Sequence, residues 1–303
     1  MNIKKLQVSD CNIAVIGLGY VGLPLSIELG KHFNTIGYDL NKKRIKQLLK
    51  KNDSNLLIKK KEFYLSKYLT FSDDLKRISH YNIYIICVPT PINKKREPDL
   101  GYLIDATKLV SKVIKKNDII IYESTVYPGV TEDICGNILK KQTGLTLNKD
   151  FFLGYSPERI NPGDKINQIK NIKKIISASN KRTLKILNFI YSKIIIAGIF
   201  QARSIKIAEA AKVIENTQRD VNIALVNELT IIFNKLNIDI YDVLEAASTK
   251  WNFIKYKPGF VGGHCIGVDP YYLSFLSKQK KYEPKIILSG RKMNNEMPKI
   301  ISN

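Results

Sequence analysis

Short apolar runs alternate with amphipathic segments over residues 1–200. Runs such as 12–16 and 33–38 predict buried strands, whereas apolar residues recurring every three to four positions over 21–29 and 102–114 predict helices. Strands that alternate with helices are typical of a mostly parallel, doubly wound sheet. We therefore expect an α/β fold with a Rossmann-like sheet in this region.

Polar and proline residues stand at the ends of several of these runs. Three runs end in "VPTP", "ESTVYPG" and "YSPERINPGD", and the runs "NIKKIISAS" and "SKIIIAG" extend the predicted sheet. Another helical pattern covers 130–141. Ligands of such sheets bind beyond the carboxyl ends of the strands. The candidates at these ends are Pro89, Thr90, Thr125 and Glu158.

The pattern changes to helical over residues 201–303. Positions 202–236 contain no glycine or proline and keep an apolar period near 3.6, which predicts one long helix. Shorter helices are expected at 240–247, 269–279 and 284–297. Helices longer than about 25 residues usually need a partner, and a two-fold dimer supplies one. We expect a helical domain that forms a homodimer through the long helix.

A glycine motif follows the first predicted strand and opens the first predicted helix. Gly17, Gly19 and Gly22 form GxGxxG, which is the fingerprint of a dinucleotide-binding fold in this context. The first glycine permits the tight turn, the second lets the pyrophosphate approach, and the third allows close packing of helix on strand. The amides at the helix N-terminus, including those near Tyr20 and Val21, are offered to the phosphates.

Asp39 ends the second predicted strand, where a carboxylate accepts hydrogen bonds from the ribose hydroxyls. A 2′-phosphate would be repelled there, so NAD is favoured over NADP. Arg44 lies close by and is the opposing signal. The alternative role for Asp39 is capping of the helix that starts near Asn41.

Composition excludes several classes of protein. The chain has 303 residues, 44% hydrophobic and 25% charged, which is ordinary for a globular protein. Its formal charge of +22 is spread along the whole chain without a nucleic-acid-binding motif, so we expect anionic small molecules rather than nucleic acid as partners. No apolar run of about 18 residues and no signal-peptide pattern occur, so no membrane span is expected.

The four cysteines are scattered, without a CxxC pair. This indicates free thiols, no metal site and a reducing compartment, and we expect a cytoplasmic protein. Three of them lie in apolar surroundings and are expected to be inert: Cys11, Cys87 and Cys135.

Cys265 differs, because it lies in the glycine-rich stretch "GFVGGHCIGVDP". Glycines allow a ligand to approach closely, and backbone amides favour a thiolate. Asp269 is placed to manage protons, and His264 is a second candidate base. With NAD, a cysteine nucleophile suggests oxidation of a primary alcohol to an acid, through an aldehyde, a thiohemiacetal and a thioester.

The long helix carries polar residues of its own. Lys212 and Asn216 are four residues apart and share a face, which by itself is typical of a solvated helix surface. Glu209, Glu215 and Glu228 are expected to be surface charges or ion-pair partners.

Taken together, these segments resemble the UDP-glucose/GDP-mannose dehydrogenase family. The resemblance runs nearly end to end, through "GLGYVGLPL", "GYDLN", "VPTP", "ESTVYPG", "YSPERINPGD", "AKVIENTQRDVNIALVNEL" and "PGFVGGHCIGVDPYYL". It implies an NAD-binding domain over 1–200 and a central domain over 201–303. It also implies oxidation of the C6 hydroxyl of a nucleotide sugar to a carboxylate with two NAD⁺.

The resemblance implies a role for each candidate residue. Cys265 is the nucleophile, Lys212 and Asn216 stabilise the developing oxyanion, and Glu158 and Thr125 hold water and transfer protons, with Asp269 assisting. The implied NAD contacts are Gly17, Gly19, Tyr20, Val21, Gly22, Asp39, Arg44, Pro89, Thr90 and Thr125. The implied substrate contacts are Glu158, Arg159, Lys212, Asn216, Arg219, Tyr256, Gly259 and Gly262.

The last two segments are most similar to the branch that acts on UDP-N-acetylhexosamines. Members acting on UDP-glucose carry a lysine before the aspartate that follows the cysteine, and this chain has Val268. The expected substrate is UDP-N-acetylglucosamine, for surface polysaccharide synthesis, and UDP-N-acetylmannosamine is the alternative.

Family members continue into a third domain that binds UDP, whereas this sequence ends at Asn303. Two interpretations follow from the resemblance. Either the chain is a truncated NAD-binding and dimerising remnant, or a separate chain supplies the UDP-binding domain.

Overall fold

A computed structural model of the chain describes residues 6–160, 169–263 and 266–302. Within them, eight strands form one sheet: β1 Asn12–Ile16, β2 Asn34–Tyr38, β3 Leu69–Ser72, β4 Ile83–Ile86, β5 Ile119–Tyr122, β6 Phe152–Tyr155, β7 Lys174–Ala178 and β8 Ile199–Gln201. Their order is β3-β2-β1-β4-β5-β6-β7-β8, and every neighbouring pair is parallel except β6 and β7. The predicted doubly wound sheet is confirmed.

Helices connect and follow these strands. They are α1 Gly22–Leu29, α2 Lys42–Leu49, α3 Lys60–Leu65, α4 Leu75–Ile78, α5 Gly101–Ser111, α6 Asn137–Thr143, α7 Lys181–Ile194, α8 Ile205–Lys235, α9 Ile240–Ala247, α10 Asp269–Gln279 and α11 Lys285–Ser302. The predicted long helix is present as α8. The segment predicted as helix over 130–141 begins as a π-helix, Val130–Gly136, which continues into α6.

The run "SKIIIAG" does not form the strand that its apolar residues suggested. Ile186, Ile190 and Ile194 are buried at helical spacing, so the start of this run completes α7. The last strand comes after the run, at β8. A short apolar run cannot be assigned to helix or strand by its composition alone, and here the helical period wins.

The central strands are buried on both faces, as expected for a parallel sheet covered by helices. All four residues of β4 and of β5 are buried. Alternate residues of β1 enter separate clusters, with Ala14 and Ile16 in one and Ile13 and Val15 in the other. The two clusters lie on opposite faces of the sheet, where helices pack against it.

The antiparallel pairing of β6 with β7 places a charged residue near the ligand-binding edge of the sheet. Because β7 runs against β6, the start of β7 lies beside the end of β6, where Tyr155 pairs with Ser177 and Gly154 with Ala178. Lys174, the first residue of β7, is buried. A charged residue is thereby placed near the carboxyl ends of the parallel strands.

The chain divides into two compact units, which we describe separately. The first comprises residues 1–90 and 99–212, and the second comprises 91–98 and 213–303. In the second unit Val226, Ile240 and Leu244 form a small core. Among the described helices, none is both long and apolar enough to cross a membrane.

Asp118, just before β5, makes the stability of the first unit depend on pH. Burial raises the pKa of this carboxyl to about 6, although the amide of Lys115 donates to it at 2.7 Å. The folded pKa lies above the unfolded value of about 3.9, so the contribution of Asp118 is complete below about pH 4 and is lost as pH rises through about 6.

We therefore expect Asp118→Asn to gain stability relative to the parent chain between pH 4.5 and pH 7. Urea unfolding at both pH values measures this change, and any constant cost of the substitution cancels in the comparison. An equal difference in unfolding free energy at the two pH values would contradict the assignment.

Candidate active site

The glycine loop has the geometry that dinucleotide binding requires. Gly17 has a φ of +92° and lies against the backbone of Cys87, where a Cβ would come within 3.0 Å of the carbonyl oxygen. A Cβ on Gly22 would lie 1.8 Å from the Gly17 carbonyl oxygen. A Cβ on Gly19 would meet nothing within 4 Å. The loop is closed where helix packs on strand and open where a pyrophosphate would approach.

Asp39 is tied to this loop. Its Oδ2 accepts from the Leu18 amide at 2.8 Å and its Oδ1 from the Asn41 amide at 2.8 Å. Asn41, and not Asp39, caps α2, because its side chain accepts from the amides of Lys43 and Arg44. The carboxylate is held beside the glycine loop, where the fingerprint places the ribose-binding acid.

Arg44 is buried and its charge is already balanced. Its Nη1 lies 2.7 Å from Asp53 Oδ1, and its Nε donates to the Leu18 carbonyl at 3.1 Å. The guanidinium therefore stabilises the glycine loop through the Leu18 carbonyl. Because Asp53 neutralises it, Arg44 no longer opposes the preference for NAD over NADP.

Two hydrogen bonds fix the strand ends beyond β4 and β5. Thr90 Oγ1 donates to the Thr125 carbonyl at 2.6 Å, and Ser124 Oγ donates to the Val88 carbonyl at 2.6 Å. Pro89, next to Thr90 in the chain, is exposed, and so is Tyr20 in the glycine loop. The structure brings Thr90 and Thr125 together as the sequence predicted.

Glu158 is held at the end of β6 by three groups. Its Oε1 accepts from the amides of Arg159 at 2.6 Å and Ile160 at 2.8 Å. Its Oε2 lies 3.5 Å from Lys174 Nζ. The carboxylate therefore has a fixed position, and Lys174 beside it favours the ionised form that can accept a proton.

Lys174 also forms an ion pair with a second carboxylate, that of Glu123, which no sequence pattern indicated. Its Nζ lies 2.6 Å from Glu123 Oε2, and the Tyr191 hydroxyl donates to Glu123 Oε1. Burial raises the pKa of Glu123 against the opposing effect of Lys174. Burial alone lowers the pKa of Lys174, but Glu123 and Glu158 outweigh it and the net direction is upward. The lysine is thus a buried cation between two carboxylates.

Removing this cation should be costly. We expect Lys174→Met to destabilise the chain by about 3–5 kcal/mol, because it leaves Glu123 buried without its counter-charge. Chemical denaturation measures the loss. Lys206→Met is the control, since Lys206 pairs with Asp133 at 2.8 Å on the exposed surface and should change stability little. Equal losses in the two variants would show that burial of the Lys174 pair has no special cost.

The second unit carries a buried polar pair. Asn216 on α8 donates through Nδ2 to Asp269 Oδ2 at 2.6 Å, and Asp269 begins α10. Both side chains are buried. Lys212, the last residue of the first unit and one turn before Asn216 on α8, is buried as well. The alternative of a solvated face is wrong for these residues, because their side chains are withdrawn from water.

The other sequence candidates occupy varied positions. Arg159 donates through Nη1 to the Lys173 carbonyl at 2.8 Å. Arg219 and Gly262 are exposed, and Tyr256 packs against the core of the second unit. Cys265 and His264 lie outside the described residues, so the role of Cys265 stays a prediction.

Glu209 was expected to be a surface charge or an ion-pair partner, and its position in the structure differs. It is fully buried, and its carboxylate accepts from the amides of Gly129 at 2.6 Å and Thr131 at 2.9 Å. Burial raises the pKa of this carboxyl against the effect of those amides. Glu209, which lies on α8, thus caps the N-terminus of the π-helix. The one sequence feature that indicated burial was its position among apolar residues.

The three cysteines expected to be inert are buried. Burial raises the pKa of Cys11 to about 12, that of Cys135 to about 11, and that of Cys87 in the same direction. Thiols of this kind are poor nucleophiles at neutral pH. Within the described ranges, no group of three or more His, Cys, Asp or Glu side chains is arranged to hold a metal ion.

Known proteins of similar sequence identify the family of this chain. Residues 11–195 match the NAD-binding domain of the UDP-glucose/GDP-mannose dehydrogenase family, and residues 206–296 match its central domain. The UDP-N-acetyl-D-glucosamine 6-dehydrogenase of Salmonella typhi is 54% identical over 97% of this chain and 69% of its own length. The enzyme of the same name from Pseudomonas aeruginosa is 52% identical over 96% and 69%.

A solved structure extends the likeness to three dimensions. The UDP-D-ManNAc dehydrogenase of Pyrococcus horikoshii superposes with a TM-score of 0.87 at 32% identity, covering 96% of this chain and 70% of that one. Sequence, fold and glycine-loop geometry thus agree. The chain belongs to the UDP-glucose/GDP-mannose dehydrogenase family, whose first domain binds NAD.

Proposed function

We propose that this protein oxidises the C6 hydroxyl of UDP-N-acetylglucosamine to the uronic acid, for surface polysaccharide synthesis. One observation carries the proposal: an NAD-type glycine loop and a fixed carboxylate, Glu158, both lie at carboxyl ends of strands in the same sheet. The sugar is inferred from the two relatives at 54% and 52% identity. UDP-N-acetylmannosamine is the alternative, since other relatives at about a third identity bear that name.

The residues divide the chemistry among them. Cys265 supplies the thiolate that adds to the aldehyde carbon and gives a thiohemiacetal. The second oxidation removes a hydride from this adduct to give a thioester, which water then hydrolyses to the acid. Lys212 and Asn216 stabilise the developing oxyanion, while Asp269 orients Asn216 through their hydrogen bond. When bound, NAD⁺ accepts the hydride in each of the two oxidations.

Hydrolysis of the thioester needs a base for water. Glu158 has that role in the proposal, because two backbone amides fix one carboxylate oxygen and Lys174 stands beside the other. Thr125, tied to Thr90, helps to hold the water. The adenosine half of NAD is bound by the glycine loop and Asp39.

Substrate contacts complete the proposal. Arg159, Arg219, Tyr256, Gly259 and Gly262 are assigned to the nucleotide sugar, with Glu158, Lys212 and Asn216 near its reacting carbon. The cationic members of this set suit a diphosphate.

We also propose that the protein is a homodimer through α8. Ile207, Ile214, Leu225 and Ile232 are 45–54% exposed, and their spacings of seven, eleven and seven residues are close to whole turns. They form one apolar stripe along the helix. Sedimentation should give a dimer, and Leu225→Glu should shift it toward monomer; a parent chain that sediments as a monomer at all concentrations would refute this assignment.

The function is tested by following NADH formation with purified protein and four sugars: UDP-N-acetylglucosamine, UDP-N-acetylmannosamine, UDP-N-acetylgalactosamine and UDP-glucose. We expect turnover with UDP-N-acetylglucosamine at two NADH per uronic acid. NAD⁺ affinity, measured in parallel, identifies folded protein. NAD⁺ binding without turnover on any sugar would reject the proposal and favour an NAD-binding protein without dehydrogenase activity.

A further inference from the structure

A buried polar side chain of the second unit contacts the backbone at the start of the cysteine loop, the segment from Gly259 to Asp269 that contains Cys265. Asn227 on α8 is fully buried. Its Oδ1 accepts from the Gly259 amide at 2.9 Å and its Nδ2 donates to the Gly259 carbonyl at 3.0 Å. One side-chain amide thus pairs with both backbone groups of a single exposed glycine, as a neighbouring strand would.

Other buried groups fix the orientation of Asn227. Its Nδ2 also donates to Asn294 Oδ1 at 2.9 Å. Asn294 Nδ2 in turn donates to Asp220 Oδ1 at 2.8 Å, and Arg291 Nη1 donates to the same oxygen at 2.6 Å. Because Asp220 and Arg291 form a buried ion pair, neither amide is free to rotate without leaving a polar group unpaired.

The other end of the loop is attached to the same helix. Asp269 accepts from Asn216, and Asn216 lies eleven residues before Asn227, which is about three helical turns. The two asparagines therefore lie on one face of α8. They hold Gly259 and Asp269, the residues that bracket the segment containing Cys265.

We propose that Asn227, braced by Asn294, Asp220 and Arg291, is a positioning residue that fixes the entry of the cysteine loop, as Asn216 fixes its exit. Asn227 acts through Gly259 and does not take part in the chemical steps. Its importance for catalysis rests on the proposed function, whereas its effect on the loop does not. Because both ends of the loop are hydrogen-bonded to α8, the distance between Gly259 and Asp269 is fixed.

Hydrogen exchange of the full chain tests the inference without turnover. In Asn227→Ala, the Gly259 amide loses its acceptor and should exchange at least tenfold faster, with the sheet of the first unit unchanged. Asn227→Asp keeps the shape and the acceptor for the Gly259 amide, so it should fall between the parent and the alanine variant. Asn222→Ala is the control, because Asn222 lies on the same helix and donates to the Gln218 carbonyl within that helix.

Kinetics separate positioning from general stability. If the parent turns over UDP-N-acetylglucosamine, Asn227→Ala should lower kcat at least tenfold and leave the KM for NAD⁺ within twofold, since the glycine loop belongs to the first unit. Exchange of the Gly259 amide no faster than in Asn222→Ala would overturn the inference. A parent without turnover would reject the proposed function, and the exchange result would still decide this one.

Discussion

Cys265→Ser is expected to abolish formation of the uronic acid, by on the order of 1000-fold or more, as removal of a covalent nucleophile does. The serine hydroxyl is far less acidic than a thiol and should not form the acyl intermediate at a useful rate. Substrate consumption, NADH and acid should be measured together by mass spectrometry and absorbance. The first oxidation does not need the thiol, so any residual product should be aldehyde.

The remaining cysteines provide the matched control. Cys11→Ala alters a fully buried thiol in the first unit, so we expect nearly parental kcat with at most a modest loss of stability. Acid formation by Cys265→Ser at the parental rate would refute the covalent scheme. Equal inactivation of both variants would point instead to loss of folding, which NAD⁺ binding detects.

Gly22→Ala should lose stability, whereas Gly19→Ala should lose affinity for NAD⁺. A Cβ at Gly22 would lie 1.8 Å from a backbone oxygen, so the helix must move off the strand, and we expect a loss of more than about 3 kcal/mol in stability. A Cβ at Gly19 meets nothing, so that variant should fold normally. It should nevertheless bind NAD⁺ at least tenfold more weakly, about 1.4 kcal/mol, because the methyl group fills space used by the pyrophosphate.

Thermal unfolding and titration with NAD⁺ on the same samples separate these outcomes. Gly144→Ala is a further reference, because it too meets no atom within 4 Å but has a φ of +70° outside the loop. It should lose stability through backbone strain and keep its NAD⁺ affinity. Unchanged affinity in a folded Gly19→Ala would remove the assignment of this loop to the pyrophosphate.

Residues whose role follows from backbone geometry could be predicted from the sequence. Gly17, Gly19 and Gly22 serve a strand, a turn and a helix that are adjacent in the chain, so their spacing carries the information. The sheet and α8 were predictable for the same reason, since each follows from a local period. The strand assigned to "SKIIIAG" failed because an apolar run that ends a helix has the composition of a strand.

Residues whose role depends on distant parts of the chain could not be predicted in this way. Lys174 meets Glu123 across 51 positions, and Asn294 meets Asp220 across 74. No local period signals such pairs. The best available signal was the recurrence of Lys212, Asn216, Asp220 and Asn227 at helical spacing on α8, where a line of polar residues in an apolar helix indicates a buried network.

The ion pair at the start of β7 also helps to specify how β7 aligns with β6. The ladder between β6 and β7 is short, so backbone hydrogen bonding specifies its alignment weakly. A slip of one position would exchange Lys174 and Ile175 between the two faces of the sheet, moving an aliphatic side chain against Glu123 and a cation into an apolar layer. Because that exchange would bury an unpaired charge, the ion pair between Lys174 and Glu123 favours the observed alignment over the shifted one.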